Sequence, residues 1–595
     1  MNLNPQQQEA VDAIEGAVLI SAAPGSGKTR VVTERIKNIL MQGYSPHDIL
    51  AVTFTNSAAH EMEDRLRNDL PDEVVRDITI CTFHRLAMSI IRQYGFLIGR
   101  RPDFSIYDAA DQLDIIKSIM KDLGIKKPSA ETILKKKGDP KYKVLFTEYR
   151  DRLVAVNAFD FDMLIDSAMF ILENYDKARE ELQYKFRFIS IDEFQDVNID
   201  QYRMAKILSG KWKNICVVGD TDQNIFAFNG SDVKFMLRFA QDFNNVKSVT
   251  IDTTYRCPSN ILSAATSLVR CNINRIDTTP KSIHPDGVMK RLVFESCFEE
   301  AAWIADRCQR LLVREYVPDK DIAILCRTHR IAGVISKVLA NNGLQVNMCG
   351  STRELMSQTA AQDFNAYVRL IANPYDRFSF RRAVKTPKKD IEWRMVAAIE
   401  SLSRSAEMNI LDAAQDSLSK RGKDFSWVST IKSLKSLTFI DAASIIKDTL
   451  CNFYDSQSLL TRSRDLALIF EVVNDMIRRN NNLTAEEYLE DISELSAQHD
   501  ATEKENSGIN IMTAHTAKGL EWPFVFVPAL EMGTFPIGSN PSQNDIEDER
   551  RLFYVALTRA QKGVFVTGCR VREVWGKERE TEESLFIREA GLEKA

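Results

Sequence analysis

The stretch AAPGSGKT, Ala22 to Thr29, constrains the fold more tightly than any other part of the chain. An apolar run, Val18 to Ser21, leads into it, and an amphipathic pattern, KTRVVTERIKNILMQG, follows and closes at Gly43. That order reads as strand, tight loop and helix, which aims backbone N–H groups and a helix N-terminus at one anion. Gly25 and Gly27 let the backbone wrap a phosphate, Lys28 reaches the β- and γ-phosphates, and Thr29 offers its hydroxyl to magnesium. The usual pattern begins with glycine where this chain has Ala22. A methyl group there costs little provided the residue keeps a negative φ. Ala22, Ala23, Pro24 and Ser26 complete the expected nucleotide-binding loop.

Elsewhere, short apolar runs alternate with helical patterns, which argues for parallel sheets flanked by helices. Candidate strands are 17–21, 49–54, 78–83, 186–192, 215–219 and 246–252, then a second set at 289–294, 321–326, 509–513, 524–529 and 563–568. At 595 residues the chain exceeds one hydrophobic core, so several domains are expected. Two stretches, from about Tyr107 to Lys185 and from about Phe378 to Ser507, carry helical patterns and few strand signals. The expected fold is α/β, with two parallel-sheet domains that each carry a mainly helical insertion. The first domain takes 1–106 and 186–275 around an insertion at 107–185. The second takes 276–377 and 508–595 around an insertion at 378–507.

Composition excludes more than it selects. A formal net charge of −5 announces no nucleic-acid partner, so any basic surface must be local. Ten scattered cysteines without a C-x-x-C pair argue against zinc and iron–sulfur sites and fit reduced thiols in the cytoplasm. The start, MNLNPQQQEA, has neither the basic residues nor the apolar core of a signal peptide. No apolar run approaches the ~18 residues of a membrane span.

Three further segments carry chemistry. In ISIDEFQD the buried run ends in Asp192, able to hold magnesium through water, and Glu193, able to accept a proton from an attacking water. VGDTDQNIFAFNGSD offers the Gln223 amide as a γ-phosphate sensor, and Phe226 and Phe228 as rings on which bases stack. In ERRLFYVALTRAQ, Arg559 is expected within a helix, from which it reaches across a cleft to the transferred phosphoryl group.

Together these segments resemble the superfamily 1 DNA helicases of the UvrD/Rep/PcrA type, over nearly the whole chain. The resemblance implies two RecA-like motor domains with an ATP cleft between them, Mg2+ as cofactor, and movement along single-stranded DNA from 3′ to 5′. LNPQQ is similar to the family's adenine-sensing segment, which makes Gln7 the adenine contact, and Arg30 belongs to the loop motif. AVTFTNSAAHEM and TFHRLA look like DNA-gripping motifs and implicate Phe54, Asn56, Thr82 and His84. DEFQD supplies Asp192, Glu193 and Gln195, and TYRCPSNIL supplies Tyr255 to stack on adenine and Arg256 to meet the γ-phosphate. TAHTAKGLEWP implies His515 near DNA and Glu521 near the ribose, and VALTRA supplies Arg559 as a second arginine. Trp575, in VREVWGKERE, looks like the aromatic separation pin at the duplex junction.

The chain also departs from the pattern. Phe226, Phe228 and Asn229 stand where the family often has Tyr, Trp and Arg, so stacking survives and one cation is lost. Asp390, Ile391 and Glu392 replace a Gly-Ile-Gly turn that meets duplex phosphate, and two carboxylates there repel it. The chain ends soon after its last strand, so no nuclease domain is expected. The expected activity is ATP-dependent strand separation, on single-stranded DNA and duplex–single-strand junctions. One alternative is a DNA-stimulated translocase that displaces proteins without unwinding unaided, and another is a DNA-binding subunit without hydrolysis. Protein partners, oligomeric state and pathway are not legible.

Overall fold

The computed structural model describes residues 3–348, 355–389, 391–497, 507–538, 540–574 and 577–592. The chain divides into two compact units. One comprises Met1–Phe83, Tyr175–Gly350 and His499–Ala595, and the other His84–Asn174 and Ser351–Gln498.

The described part of the first unit holds two large, mainly parallel sheets and a short parallel pairing of Thr253–Thr254 with Lys281–Ser282. Strands β1 (Ala17–Ala22), β2 (Ile49–Thr53), β3 (Thr79–Thr82), β4 (Phe188–Ile191), β5 (Ile215–Gly219) and β6 (Lys247–Ile251) form one in the order β3-β2-β4-β5-β1-β6. The inner strands are buried along their whole length because helices cover both faces, which is why they read as unbroken apolar runs. Ala22 is the last residue of β1 and pairs with Ile251, and its methyl lies inside the core. The departure from glycine therefore falls on extended backbone and not on the loop.

The second sheet is built from β7 (Val288–Ser296), β8 (Ile322–Cys326), β9 (Val346–Met348), β10 (Ile509–Thr513), β11 (Trp522–Val527) and β12 (Ala560–Val574), in the order β7-β12-β11-β8-β10-β9. A short antiparallel strand, β13 (Lys577–Glu580), returns along the end of β12. The helices Ser259–Val269 and Gln543–Leu557 pack on one face of this sheet and share its core.

The second unit is mainly helical and joins the two inserted segments around buried polar groups. Tyr107 donates to Asp376 at 2.5 Å, Ser105 donates to it at 3.1 Å, and Asn373 donates to the Val156 carbonyl at 2.9 Å. Arg369 pairs with Asp111 at 2.6 Å. Among the described residues, no helix is long and apolar enough to cross a membrane.

Candidate active site

The nucleotide loop follows β1 and is clamped from two sides. Gly25 and Gly27 both adopt positive φ, +67° and +83°. Gly27 caps the helix Lys28–Met41 without a side-chain cap, which leaves that N-terminus open to an anion. A methyl on Gly25 would lie 2.5 Å from the Arg256 Cβ, so only glycine fits beneath this segment. There Tyr255 N–H donates to the Gly25 carbonyl at 2.9 Å, and the Thr254 hydroxyl donates to the Pro24 carbonyl at 2.5 Å. On the other side, the Gln7 amide accepts from Asn4 N–H at 2.9 Å and donates to the Ser26 carbonyl at 2.8 Å. Both ends of the residue expected to read adenine are therefore engaged with protein in this structure. Tyr255 is 38% exposed and its hydroxyl accepts from Asn4 at 3.0 Å, so its ring is open at the loop's edge. Arg30 lies half-buried on the first turn of the helix.

The loop cation and the strand-end acids converge. Lys28 is buried, and the Thr29 hydroxyl donates to Asp192 at 2.9 Å. Burial pushes the Asp192 carboxyl up to about 6, with the charge of Glu193 adding and Thr29 and Lys28 opposing. Burial acts on Glu193 in the same direction, yet Lys28, Lys518, the Gln195 amide and Arg559 together hold it below the ordinary glutamate value. Glu193 thus stays ionised. Its backbone is left-handed, φ +51°, and its N–H donates back to Asp192 at 2.9 Å.

Arg559 comes from the second sheet's side, ahead of β12, and Arg256 from the segment that follows β6. Arg559 is 2% exposed and donates to the Gln223 side-chain oxygen at 3.4 Å, to the Leu520 carbonyl at 3.2 Å and to the Val555 carbonyl at 3.0 Å. Burial and the like charge of Arg256 push its guanidinium down to about 9. It does not lie within a helix as expected, because the helix ends at Leu557 and Arg559 sits in the turn before β12. Gln223 donates to Asp220 at 2.7 Å. Arg256 is held by Glu521, which also accepts from Gln561 at 2.9 Å, so Glu521 is engaged with an arginine in this structure.

Sequence reasoning missed Lys518. Its ammonium pairs with Asp196 and donates to the Gln223 carbonyl at 2.8 Å, tying the second sheet to the acid loop. Burial pushes Asp196 up to about 7 against the pull of Lys518. The signal was the lysine of TAKGLEW and the last acid of DEFQD, two charges with no other evident use.

The expected strand-contact residues separate by burial. Phe226 is buried in the core and stacks on Phe54, ring centroids 4.9 Å apart, so it is no open platform for a base. Phe228 is 60% exposed and meets His515 edge-on at 5.7 Å. Asn56 opens the helix Asn56–Arg67 with a buried side-chain oxygen that has no hydrogen-bond partner. Thr82 is buried at the end of β3. His84 lies in the helical unit against Phe161, ring centroids 5.1 Å apart, and burial lowers it to about 4 against the pull of Asp162. Glu392 is exposed ahead of the helix Trp393–Ser405, whereas Asp390 and Trp575 lie outside the described residues.

Comparison with known proteins agrees with this geometry. The model of the UvrD/REP helicase N-terminal domain matches residues 3–137 and 123–244, and that of the UvrD-like helicase C-terminal domain matches residues 249–571. The ATP-dependent DNA helicase PcrA of Bacillus subtilis is 32% identical, over 99% of this chain and 85% of its own length. The protein of the same name from Staphylococcus epidermidis is 32% identical over 99% and 86%, and that from Staphylococcus aureus 29% over 99% and 86%.

Proposed function

The chain belongs to the UvrD/REP helicase family, and from that premise we propose that it is an ATP-dependent DNA helicase that moves along single-stranded DNA and separates duplexes at single-strand junctions. The observation that carries this reading is the bond from Arg559, after the second sheet's helix, to Gln223, after a strand of the first. One chain of contacts thereby joins the phosphate loop, the acids and both sheets, so a change at the phosphates is felt by both motor halves.

The chemistry follows from the side chains present. Lys28 and the N-terminus of its helix bind the β- and γ-phosphates, and Arg256 and Arg559 offset charge that develops on the transferred group. Ionised Glu193 accepts the proton of the attacking water, and Gln195 orients its carboxylate. The Thr29 hydroxyl and the Asp192 carboxylate are hard oxygen donors side by side, a set that suits Mg2+. When bound, Mg2+ supplies charge neutralisation at the phosphates. Tyr255 stacks on the adenine, and Phe54, Asn56, Thr82, Phe228 and His515 hold the single strand. The two large sheets of the first unit, β1 to β6 and β7 to β13, form the two motor domains. Polarity is 3′ to 5′, Trp575 is the separation pin, and the protein works in the cytoplasm.

Intact Lys28, Asp192, Glu193, Gln223, Arg256 and Arg559 argue against a subunit without hydrolysis. A translocase that needs help to unwind is the second reading, favoured by exposed Glu392 in place of a glycine that would approach duplex phosphate. The test is ATP hydrolysis with and without single-stranded DNA, followed by unwinding of 3′-tailed against 5′-tailed duplexes. Stimulated hydrolysis and unwinding of the 3′-tailed substrate are expected. Hydrolysis without unwinding selects the second reading, and no hydrolysis overturns both.

A further inference from the structure

The N-terminal edge of the first sheet, opposite the phosphate loop, carries a ladder of cations and rings. The chain enters β2, β4 and β5 there, through Tyr44–Asp48, Tyr184–Arg187 and Lys211–Asn214. The Lys211 ammonium lies over the Tyr184 ring, and Tyr184 meets Trp212 edge-on at 6.0 Å. The Arg187 guanidinium follows, 4.8 Å from the Trp212 ring and 4.6 Å from that of Tyr44. Tyr44 is braced in turn by Phe188 at 4.7 Å. Exposed Lys185 and Lys213 flank the ladder. Among the described residues, none of Lys185, Arg187, Lys211 and Lys213 forms an ion pair. The Arg187 Nε and the Trp212 Nε1 are buried without any hydrogen-bond partner.

Aromatic contact holds a cation in place and leaves its charge intact. Four uncompensated cations on one edge of a chain whose net charge is −5 constitute a preorganised anion receptor. We infer that this edge docks an acidic peptide segment of a partner protein. The planar Arg187 fork, fixed between two rings, is shaped for a carboxylate, and Tyr184, 62% exposed, offers an apolar flank to a neighbouring side chain. Nucleic acid is disfavoured, because Lys211 and Arg187 already occupy ring faces that a base would need. The groups proposed to hold a strand also follow the opposite ends of the same strands. This inference goes beyond the motor reading and does not depend on it.

The test uses the full chain and a short fluorescein-labelled peptide that alternates glutamate with leucine, beside one with glutamine for each glutamate. The glutamate peptide is expected to bind, more weakly as salt rises. Lys211→Glu and Arg187→Gln should each loosen it about tenfold or more. Lys211→Glu should leave DNA-stimulated ATP hydrolysis unchanged, and saturating oligothymidylate should not displace the peptide. Equal binding of the glutamine peptide, or undiminished binding by Lys211→Glu, overturns the inference. Displacement by oligothymidylate assigns the edge to nucleic acid and overturns it too. Absence of hydrolysis in the parent protein counts against the motor reading and leaves the peptide result intact.

Discussion

Gly25→Ala and Gly27→Ala make a matched pair that tests how the phosphate loop is clamped. Both glycines have left-handed backbone, +67° and +83°, so alanine costs about 1–2 kcal/mol at either position. Only one of them meets a wall. The new methyl at Gly25 lies 2.5 Å from the Arg256 Cβ and 2.9 Å from the Thr254 hydroxyl oxygen. Carbon atoms settle about 3.5–4.0 Å apart, so loop and neighbouring segment must part by roughly 1 Å. Overpacking of that kind adds about 1–3 kcal/mol. At Gly27 the nearest atom is the Gln7 Nε2 at 3.2 Å, the end of a side chain that yields by small torsions. The extra cost at Gly25 appears as lost nucleotide affinity, lost stability or both. Titration with a fluorescent ATP analogue and urea unfolding of each variant therefore measure the two parts. Their sum should be about 1–3 kcal/mol larger for Gly25→Ala, equivalent to about 5- to 150-fold if all of it falls on affinity. Equal sums, or a larger one for Gly27→Ala, would refute the clamp.

Glu193→Gln should retain ATP binding while turnover falls ~10²-fold or more, and Lys28→Ala should abolish turnover, both read by phosphate release. Phe228→Ala should weaken single-strand binding by ~1–3 kcal/mol with little change in salt slope. Phe226→Ala, by contrast, should cost about 3–5 kcal/mol of folding stability, because its ring lies in the core. Lys518→Ala should lower stability by about 3 kcal/mol, since it leaves the Asp196 carboxylate buried without its ammonium partner, and adding Asp196→Asn should restore part of the loss. Urea unfolding of the two single variants and the double variant decides it.

The inner strands were legible because burial on both faces writes a continuous apolar run, as in AVLISA and ICVVG. Val346–Met348 escaped because it is short, has Asn347 in its middle and, among the described residues, pairs with β10 alone. The strand expected at 563–568 extends to Val574 because its last residues, RVREV, are held by backbone pairing with β7 and β13. Local pattern also misjudged Arg559, whose helical neighbours end at Leu557. The phosphate loop and its acids were legible since each motif is contiguous. Lys518 was not, because its partner Asp196 is 322 residues away in the chain. Alternating phenylalanines look alike in sequence, and only the core shared with the second sheet tells buried Phe226 from open Phe228.

The pairing of Arg256 with Glu521 has a consequence for turnover. Glu521 is a tethered anion beside a guanidinium proposed to meet the γ-phosphate, so it acts as a resident competitor. An arriving phosphate exchanges one anionic partner for another, which flattens the salt dependence of nucleotide binding. On that proposed role, a departing phosphate leaves no bare charge behind, because the structure already pairs Arg256 with this carboxylate. If Arg256 meets the γ-phosphate as proposed, the ion pair weakens the hold on substrate and product alike and favours a site that empties quickly.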